Sequence, residues 1–519
     1  MKLVTCAQMR AIEAASESSG VGADWLMEQA GAAAADQVWT RLQACDGFSV
    51  VVLVGPGNNG GDGLVVARFL ESFGADVHAY LLYPRPDDDA VWRGARDNGV
   101  PYTHAADDAD GARLADLLAS ADCVVDALLG TGSNRSIEGA LASILYRVRT
   151  VREAARPPLL IALDVPTGVD ADSGAADART VAADVTVCFG YVKLGVTQAP
   201  ARALAGEVVR VDIGIPAGLD DGVSIEEADI EVARVGVMPR PLDANKGTFG
   251  RAMIAAGSRR YPGAARLSAE ACARSGAGLT TIAAPAVVQP LIAPAFPDAT
   301  YEPLPSAMGA MRGAEAARVL LRAMPDFDAL LLGPGLSRTP ATEEFIRHVL
   351  AGLDAIVGLC SVVLDADALN AVAQWSGWHQ AFGAPRVLTP HPGEMARLLG
   401  TSVAAVQSDR LGAATNYARQ TSSVVILKGS GTVVAAPDGR VRISLVANPM
   451  LATAGTGDVL AGILVGLLAQ GAPAFEAACA AVWLHGECGE RVAREVGVAG
   501  GLAQDLLRVL PAVRGRLDR

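Results

Sequence analysis

The chain has 519 residues, 51% apolar and 19% charged, which suits two to four packed domains and excludes global disorder. Against 43 Lys and Arg stand 56 Asp and Glu, a formal charge of −13. That argues against nucleic acid as a partner, since phosphate binding needs a basic face, and no apolar run reaches the roughly 18–20 residues of a membrane span.

The start, Met1-Lys2-Leu3-Val4-Thr5, lacks the apolar core of a signal peptide. The eight cysteines are scattered without a C-x-x-C pair. The expectation is a cytoplasmic protein with reduced, mostly buried thiols. The β-branched run Ser49 to Val54 predicts the first strand, and a helix follows from about Leu64 to Ser72. A strand at Val77 to Leu82, a helix at Ala112 to Ser120, and strands at Cys123 to Leu128, Leu159 to Leu163, Val185 to Phe189 and Val208 to Val211 complete the first half. Strands alternating with helices predict an α/β fold, a doubly wound, mostly parallel sheet whose strand-end loops form the ligand face.

Those loops carry the chemistry. Gly55-Pro56-Gly57-Asn58-Asn59-Gly60 fits G-x-G-x-x-G between strand and helix. The acidic ribose contact of a dinucleotide fold is missing, because the next strand ends Leu82-Tyr83-Pro84-Arg85. No Gly-Lys-Ser/Thr follows, so the loop is not a Walker A loop. Its tail, Gly61-Asp62-Gly63, sets a carboxylate in an anion cradle, where it opposes a pyrophosphate unless a cation or hydroxyl answers it. A plain tight turn is the other reading. Asn59, Asp126 and Thr167 offer oxygen ligands to a hard cation, although a strand-end Asp such as Asp126 is also a common helix cap. Asp164 and Lys193 form a candidate acid/base pair, with a surface role for Lys193 still open.

In this order, Gly-Pro-Gly-Asn-Asn-Gly-Gly-Asp-Gly, Asp-Ala-Leu-Leu-Gly-Thr-Gly, Asp-Val-Pro-Thr-Gly and Phe-Gly-x-x-Lys-x-Gly closely resemble the NAD(P)H-hydrate epimerase domain, over residues 1–215. The resemblance implies a Rossmann-like fold. It also implies that Asn58, Asn59, Gly60, Gly61, Asp62, Gly130, Thr131, Gly132, Ser133, Asn134, Arg135, Ser136 and Asp164 hold the hydrated nucleotide, and that K+ sits at Asn59, Asp126 and Thr167. Thr167 stands where serine is more usual, and both supply a hydroxyl. The hydrate carries a hydroxyl on C6, beside the ring nitrogen. That nitrogen can expel it and water can return to either face, with Asp164 and Lys193 shuttling the proton.

Residues 216–243, with clustered acids, Pro216, Pro239 and Pro241, read as a linker. From 244 a second, unlike α/β pattern begins, with strands near Arg251, Leu279 to Ala283, Ala329 to Leu332, Val362 to Leu364, Arg386 to Leu388 and Val424 to Leu427. Its strongest signal is Gly455-Thr456-Gly457-Asp458, bare amides at a helix start with a carboxylate beside them, the pattern of an anion hole and base for phosphoryl transfer. A capped helix start is the alternative. Lys428-Gly429-Ser430-Gly431-Thr432 suits a nucleotide phosphate or, equally, a hairpin turn. His391, in Thr389-Pro390-His391-Pro392-Gly393-Glu394, reads as a ligand contact or a structural histidine. Asp365 and Asp367 are weaker candidates for magnesium or substrate, and His485 reads as packing.

Gly-Thr-Gly-Asp resembles the ribokinase-like superfamily. With Gly257-Ser258-Arg259-Arg260-Tyr261-Pro262-Gly263-Ala264 and Gly333-Pro334-Gly335-Leu336, this half is similar to the ADP-dependent NAD(P)H-hydrate dehydratase domain. That implies hydrate contacts at Ala252, Gly335, His391 and Asp458, and adenine-nucleotide contacts at Lys428, Gly429, Ser430, Gly431, Thr432 and Gly457. Ser337 stands where glycine is frequent, and Asn245 where histidine is common. The resemblance also implies ADP and Mg2+ as co-substrate and cofactor, NADHX and NADPHX as substrates, and a homo-oligomer. The runner-up is a ribokinase-like small-molecule kinase with an N-terminal nucleotide-binding domain. A non-catalytic binding module in the first half is a third reading.

Overall fold

The computed structural model describes residues 1–519 apart from 43–46, 133–135, 308–309, 357–358, 360, 381–382, 384–385 and 519. The chain forms two compact units, Met1–Ile225 and Glu226–Arg519.

The first unit is built on seven strands, all parallel, in the order Tyr102–His104, Asp76–Leu81, Ser49–Val54, Cys123–Ala127, Leu159–Leu163, Val185–Phe189 and Glu207–Val211. Strand Ser49–Val54 is apolar from Val50 onward because both of its faces are covered. Val50, Val52 and Val54 enter one core, and Val51 and Leu53 enter the other. The chain runs outward from this strand in one direction and then restarts at Cys123–Ala127 on its other side. The crevice between these two strands is the switch point at which such sheets bind ligands. The helix read from Leu64 begins earlier, at Asn58, so the glycine run is its first turns rather than a loop before it. A short parallel pair, Leu3–Val4 with Val192–Lys193, fixes the segment bearing Lys193.

In the second unit the sheet order is Ile225–Glu227, Val441–Ile443, Val433–Ala435, Val424–Leu427, Arg386–Leu388, Ser361–Leu364, Ala329–Leu332, Arg251–Ala255, Leu279–Pro285 and Thr300–Leu304. From Val424–Leu427 to Thr300–Leu304 the pairings are parallel. The other pairings around Val433–Ala435 are antiparallel. The switch point lies between Ala329–Leu332 and Arg251–Ala255. Residues 216–243, read as linker, contain the strand Ile225–Glu227 and the helix Ile230–Val235, whose Ala233 is buried in the second unit's core. The run shows little sustained periodicity, and its structure depends on packing that the local pattern does not report.

No helix among the described residues is long and apolar enough to cross a membrane. The six described cysteines are buried and free.

Candidate active sites

In the first unit a cavity of ≈ 1030 Å³ opens at the switch point. Its lining includes Asn58, Asn59, Asp62, Gly130, Thr131, Gly132, Ser136, Asp164 and Lys193, from segments that follow four different strands. Gly60 and Gly61 lie behind the lining and let the loop close. A Cβ on Gly60 would stand 2.0 Å from the Gly55 carbonyl oxygen, so no other residue fits there. The calls on Ser133, Asn134 and Arg135 lie outside the described residues.

Lys193 is buried, and its ammonium is ion-paired with Asp164 Oδ1 and donates to the Phe189 carbonyl at 3.1 Å. Burial works most strongly against its charge, but Asp164, with Cys188 and Glu13 adding to it, holds the ammonium above the ordinary lysine range. The surface reading of Lys193 is therefore wrong. Asp164 has φ 64, a left-handed backbone in a non-glycine residue, fixed by its N–H donating to Val187 O at 2.7 Å. Backbone strain of this kind is held by surrounding structure and clusters at functional sites.

Asp126 and Thr167 lie buried beside the cavity. The Thr167 hydroxyl donates to Asp126 Oδ1 at 2.6 Å, and its N–H donates to Oδ2 at 2.9 Å. Burial pushes the Asp126 carboxyl up, against these bonds. Asn59 donates from Nδ2 to Leu129 O at 3.0 Å, while its Oδ1 is buried with no hydrogen-bond partner. An orphaned amide oxygen near a buried carboxylate and hydroxyl is an oxygen donor set that fits a monovalent cation.

Two residues emerge only from the structure. Arg85 donates to the Gly55 and Gly57 carbonyls at 3.0 and 3.2 Å and pairs with Asp89, so it braces the glycine turn from outside. Glu13, from helix Cys6–Ser18, joins the cavity lining, and burial raises its carboxyl while Lys193 acts to lower it. A lone Arg after a strand and a lone Glu on a helix carry no sequence signal.

In the second unit, loops from the C-terminal strand edges and the start of helix Thr456–Ala469 meet. Gly455 takes the N-cap with φ 91, and Thr456 donates its hydroxyl to the Leu451 and Thr453 carbonyls. Asp458 is partly exposed rather than turned inward, and its carboxyl has no hydrogen-bond partner among the described residues. Burial, with Asp365 adding and Lys428 opposing, pushes it up to about 7, where a general base is effective at neutral pH. The Lys428 ammonium lies 2.9 Å from Asp365 Oδ1 and 3.9 Å from Glu394 Oε2. It also lies 3.6 Å from where a Cβ on Gly457 would stand, so the lysine and the helix start face one space. Among the described residues no group of three or more His, Cys, Asp or Glu side chains is arranged to hold a metal.

The run Lys428 to Thr432 is the turn of an antiparallel hairpin, as the alternative reading had it, with Gly429 and Gly431 at φ 138 and 68. Buried Arg410, not anticipated, donates to the carbonyls of Leu427, Lys428 and Gly431 and holds the turn's shape. His391 is both a structural and an exposed residue. Its Nδ1 accepts from Gly393 N at 2.9 Å and Glu394 Oε2 accepts from His391 N at 2.8 Å, a capping box for helix Pro392–Leu399. Half of its side chain remains open to solvent.

Gly335, at φ 63, stands so close to the start of helix Pro262–Ser275 that a Cβ would meet Ala264 Cβ at 2.7 Å. Ser337 takes the position where glycine is frequent at φ 70, and its hydroxyl bonds that of Ser258 at 2.9 Å. Asn245 accepts from Gly247 N at 2.9 Å and shapes its own turn. Ala252 does not reach this group. It is the second residue of strand Arg251–Ala255, fully buried and paired with Thr280 and Ala329, at the end of the strand remote from the loops. Ala264 is the alanine beside Gly335, and the run Gly257 to Ala264 already marked that loop. His485 is more than packing, because its Nε2 bonds the Thr456 carbonyl at 2.9 Å.

Residues 252–512 match the NAD(P)H-hydrate dehydratase family, and residues 23–195 match the YjeF-related protein N-terminus family. The bifunctional NAD(P)H-hydrate repair enzyme of Moorella thermoacetica is 38% identical over 100% of this chain and 97% of its own. The enzyme of that name from Thermofilum pendens is 35% identical over 98% and 96%. A Bacillus subtilis crystal structure titled ADP/ATP-dependent NAD(P)H-hydrate dehydratase, co-crystallised with ATP/Mg2+, is similar to 56% of this chain and 98% of its own at 35% identity and a TM-score of 0.49. With full-length relatives above 30% identity and both halves matched, the chain belongs to the bifunctional NAD(P)H-hydrate repair enzyme family.

Proposed function

We propose that this chain restores hydrated NADH and NADPH with two activities: residues 1–215 epimerise the R and S hydrates, and residues 244–519 dehydrate the S form at the expense of ADP, with 216–243 connecting them. The kinase alternative has no support among the full-length relatives, which carry the repair-enzyme name.

The observation that carries the dehydratase reading is Asp458, at a helix start without a hydrogen-bond partner among the described residues and raised to about 7 beside Lys428. Asp458 takes the proton of the C6 hydroxyl. The freed oxygen attacks the terminal phosphorus of ADP and AMP leaves. The amides of Gly455 to Gly457 and the Lys428 ammonium stabilise the charge on the moving phosphoryl group. Phosphate is a far better leaving group than hydroxide. The ring nitrogen expels it, a ring proton is lost, and reduced nicotinamide is restored. Mg2+, when bound, neutralises the nucleotide phosphates. Asp365 and Asp367 are the carboxylates that would help to hold it. His391 and Gly335 bound the hydrate, and the Lys428 to Thr432 turn holds the nucleotide.

In the epimerase cavity, Asp164 and Lys193 handle the proton at C6. K+, when bound by Asn59, Asp126 and Thr167, supplies positive charge next to the substrate's anionic groups. We place the enzyme in the cytoplasm, a reading its free, buried thiols support. The test supplies the (S) hydrate with ADP and Mg2+. Reduced-nicotinamide absorbance returning with equimolar AMP and phosphate supports the reading, and a stable phosphorylated product refutes it.

A further inference from the structure

We propose that Asp62 is the proton donor of the epimerase cavity, a catalytic residue that acts across the crevice from Asp164 rather than a binding contact of the glycine turn. The proposal rests on the epimerase reading above.

Asp62 lines the cavity at 9% exposure, and no described residue donates a hydrogen bond to its carboxyl. Among the described residues no cation is ion-paired with it, although Lys193 and Arg85 act on it from further away. Lys193 is committed to Asp164, and Arg85 to the Gly55 and Gly57 carbonyls and Asp89. The charged groups that act on it are Asp164, Lys193, Glu13 and Arg85. Burial, then the charge of Asp164, lift its carboxyl well above the ordinary aspartate range. Burial without a hydrogen-bond donor favours the neutral acid over the ion, because the ion costs more to desolvate. This also removes the conflict visible in the sequence, since a neutral acid in an anion cradle does not repel a dinucleotide's phosphates.

Position supplies the rest. Asp62 stands on the helix that follows strand Ser49–Val54, and Asp164 follows strand Leu159–Leu163. Strand Cys123–Ala127 lies between those two strands, so the acids reach the cavity from different sides of the switch point. Epimerisation at C6 needs water to leave one face and return to the other. Asp62 gives its proton to the C6 hydroxyl oxygen, the C–O bond breaks, and the ring nitrogen's lone pair forms the C=N bond of an iminium. A water on the opposite face then bonds C6 through its oxygen, the C=N pair returns to nitrogen, and Asp164 takes the water's proton. One proton has moved from Asp62 to Asp164, and the reverse sequence carries S to R.

The test measures initial R-to-S rates with the full chain. Asp62→Asn keeps the shape and an N–H donor but cannot release a proton. The expected result is a kcat at least about 100-fold lower, the loss typical of a missing acid, with KM within about threefold. Added formate restores turnover to Asp62→Ala. Dehydration of the (S) hydrate by the same preparations stays at the wild-type rate and reports folding. If Asp62→Asn unfolds, as a thermal melt reveals, the formate response of Asp62→Ala decides instead. Retention of kcat within about threefold, or a loss through KM alone with no formate response, overturns the proposal. Asp164→Asn run in parallel separates the two readings. Full activity there removes the cavity reading and this proposal together, whereas an inactive Asp164→Asn beside an active Asp62→Asn removes only the role of Asp62.

Discussion

The pH dependence of dehydration tests whether Asp458 is the base, and Asp365→Asn is the perturbation. Asp458 is raised from the ordinary 3.8 to about 7 by burial first and by Asp365 next, with Lys428 opposing. A base must be ionised, so wild-type kcat/KM climbs about tenfold per pH unit below 7 and levels above it. Asp365 Oδ1 is 2.9 Å from Lys428 Nζ, and Nζ is 3.6 Å from the Cβ position of Gly457, the neighbour of Asp458. One unit charge acting over about 7 Å through an effective dielectric of about 20 is worth about 2.4 kcal/mol, or about 1.7 pK units, which sets the scale. Removing that negative charge lowers the Asp458 pKa, and it also frees Lys428, which lowers it further. Both effects move the acid limb the same way, by at least about one unit toward lower pH. The assay is kcat/KM for the (S) hydrate with saturating ADP and Mg2+ from pH 5 to pH 9. The absolute rate falls because Lys428 is less well held, so the position of the limb is the readout. A limb that stays in place or moves upward refutes the reasoning.

Asp458→Asn lowers dehydration by about 10²–10⁴-fold in steady-state kinetics. Its stability changes with a defined sign. The folded pKa of Asp458 lies above the unfolded one, so its favourable contribution is complete below pH 3.8 and is lost as pH rises through about 7. Melting curves therefore show the Asn variant gaining more Tm over wild type at pH 8 than at pH 5. In the first unit, Lys193→Ala and Asp164→Asn each abolish most R-to-S interconversion while leaving (S)-hydrate dehydration intact, measured on the same preparations. His485→Phe removes the donor to the Thr456 carbonyl and lowers dehydratase kcat about tenfold, whereas His485→Gln, which keeps an N–H, recovers most of it. Gly335→Ala drives a methyl to 2.7 Å from Ala264 Cβ at a positive φ and raises KM for the hydrate. An unchanged KM there separates Gly335 from the substrate.

The strands were legible because both sheets are buried on two faces. Val50 to Val54, Leu159–Leu163 and Val424–Leu427 are unbroken apolar runs bounded by glycine or polar residues. The site loops were legible for a related reason. A strand end that must bring bare backbone to a ligand needs glycine, and Gly60 and Gly335 leave no room for a Cβ. Bracing groups were not legible. Arg85, Arg410 and His485 act on backbone carbonyls of loops distant in sequence, and nothing near each of them marks the partner. Ala252 was misplaced because position along a strand, not residue type, decides which end reaches the ligand face. The burial that lifts the Asp62 carboxyl also has no signature in sequence, since it is the fold that removes water from it.

The most direct measurement of the central claim feeds the full-length enzyme a mixture of R and S hydrates with ADP and Mg2+ and follows reduced-nicotinamide absorbance to its end point. Two cooperating sites convert the whole mixture, with one AMP and one phosphate for each hydrate restored. An end point that stops at the S fraction, or no AMP, contradicts the account.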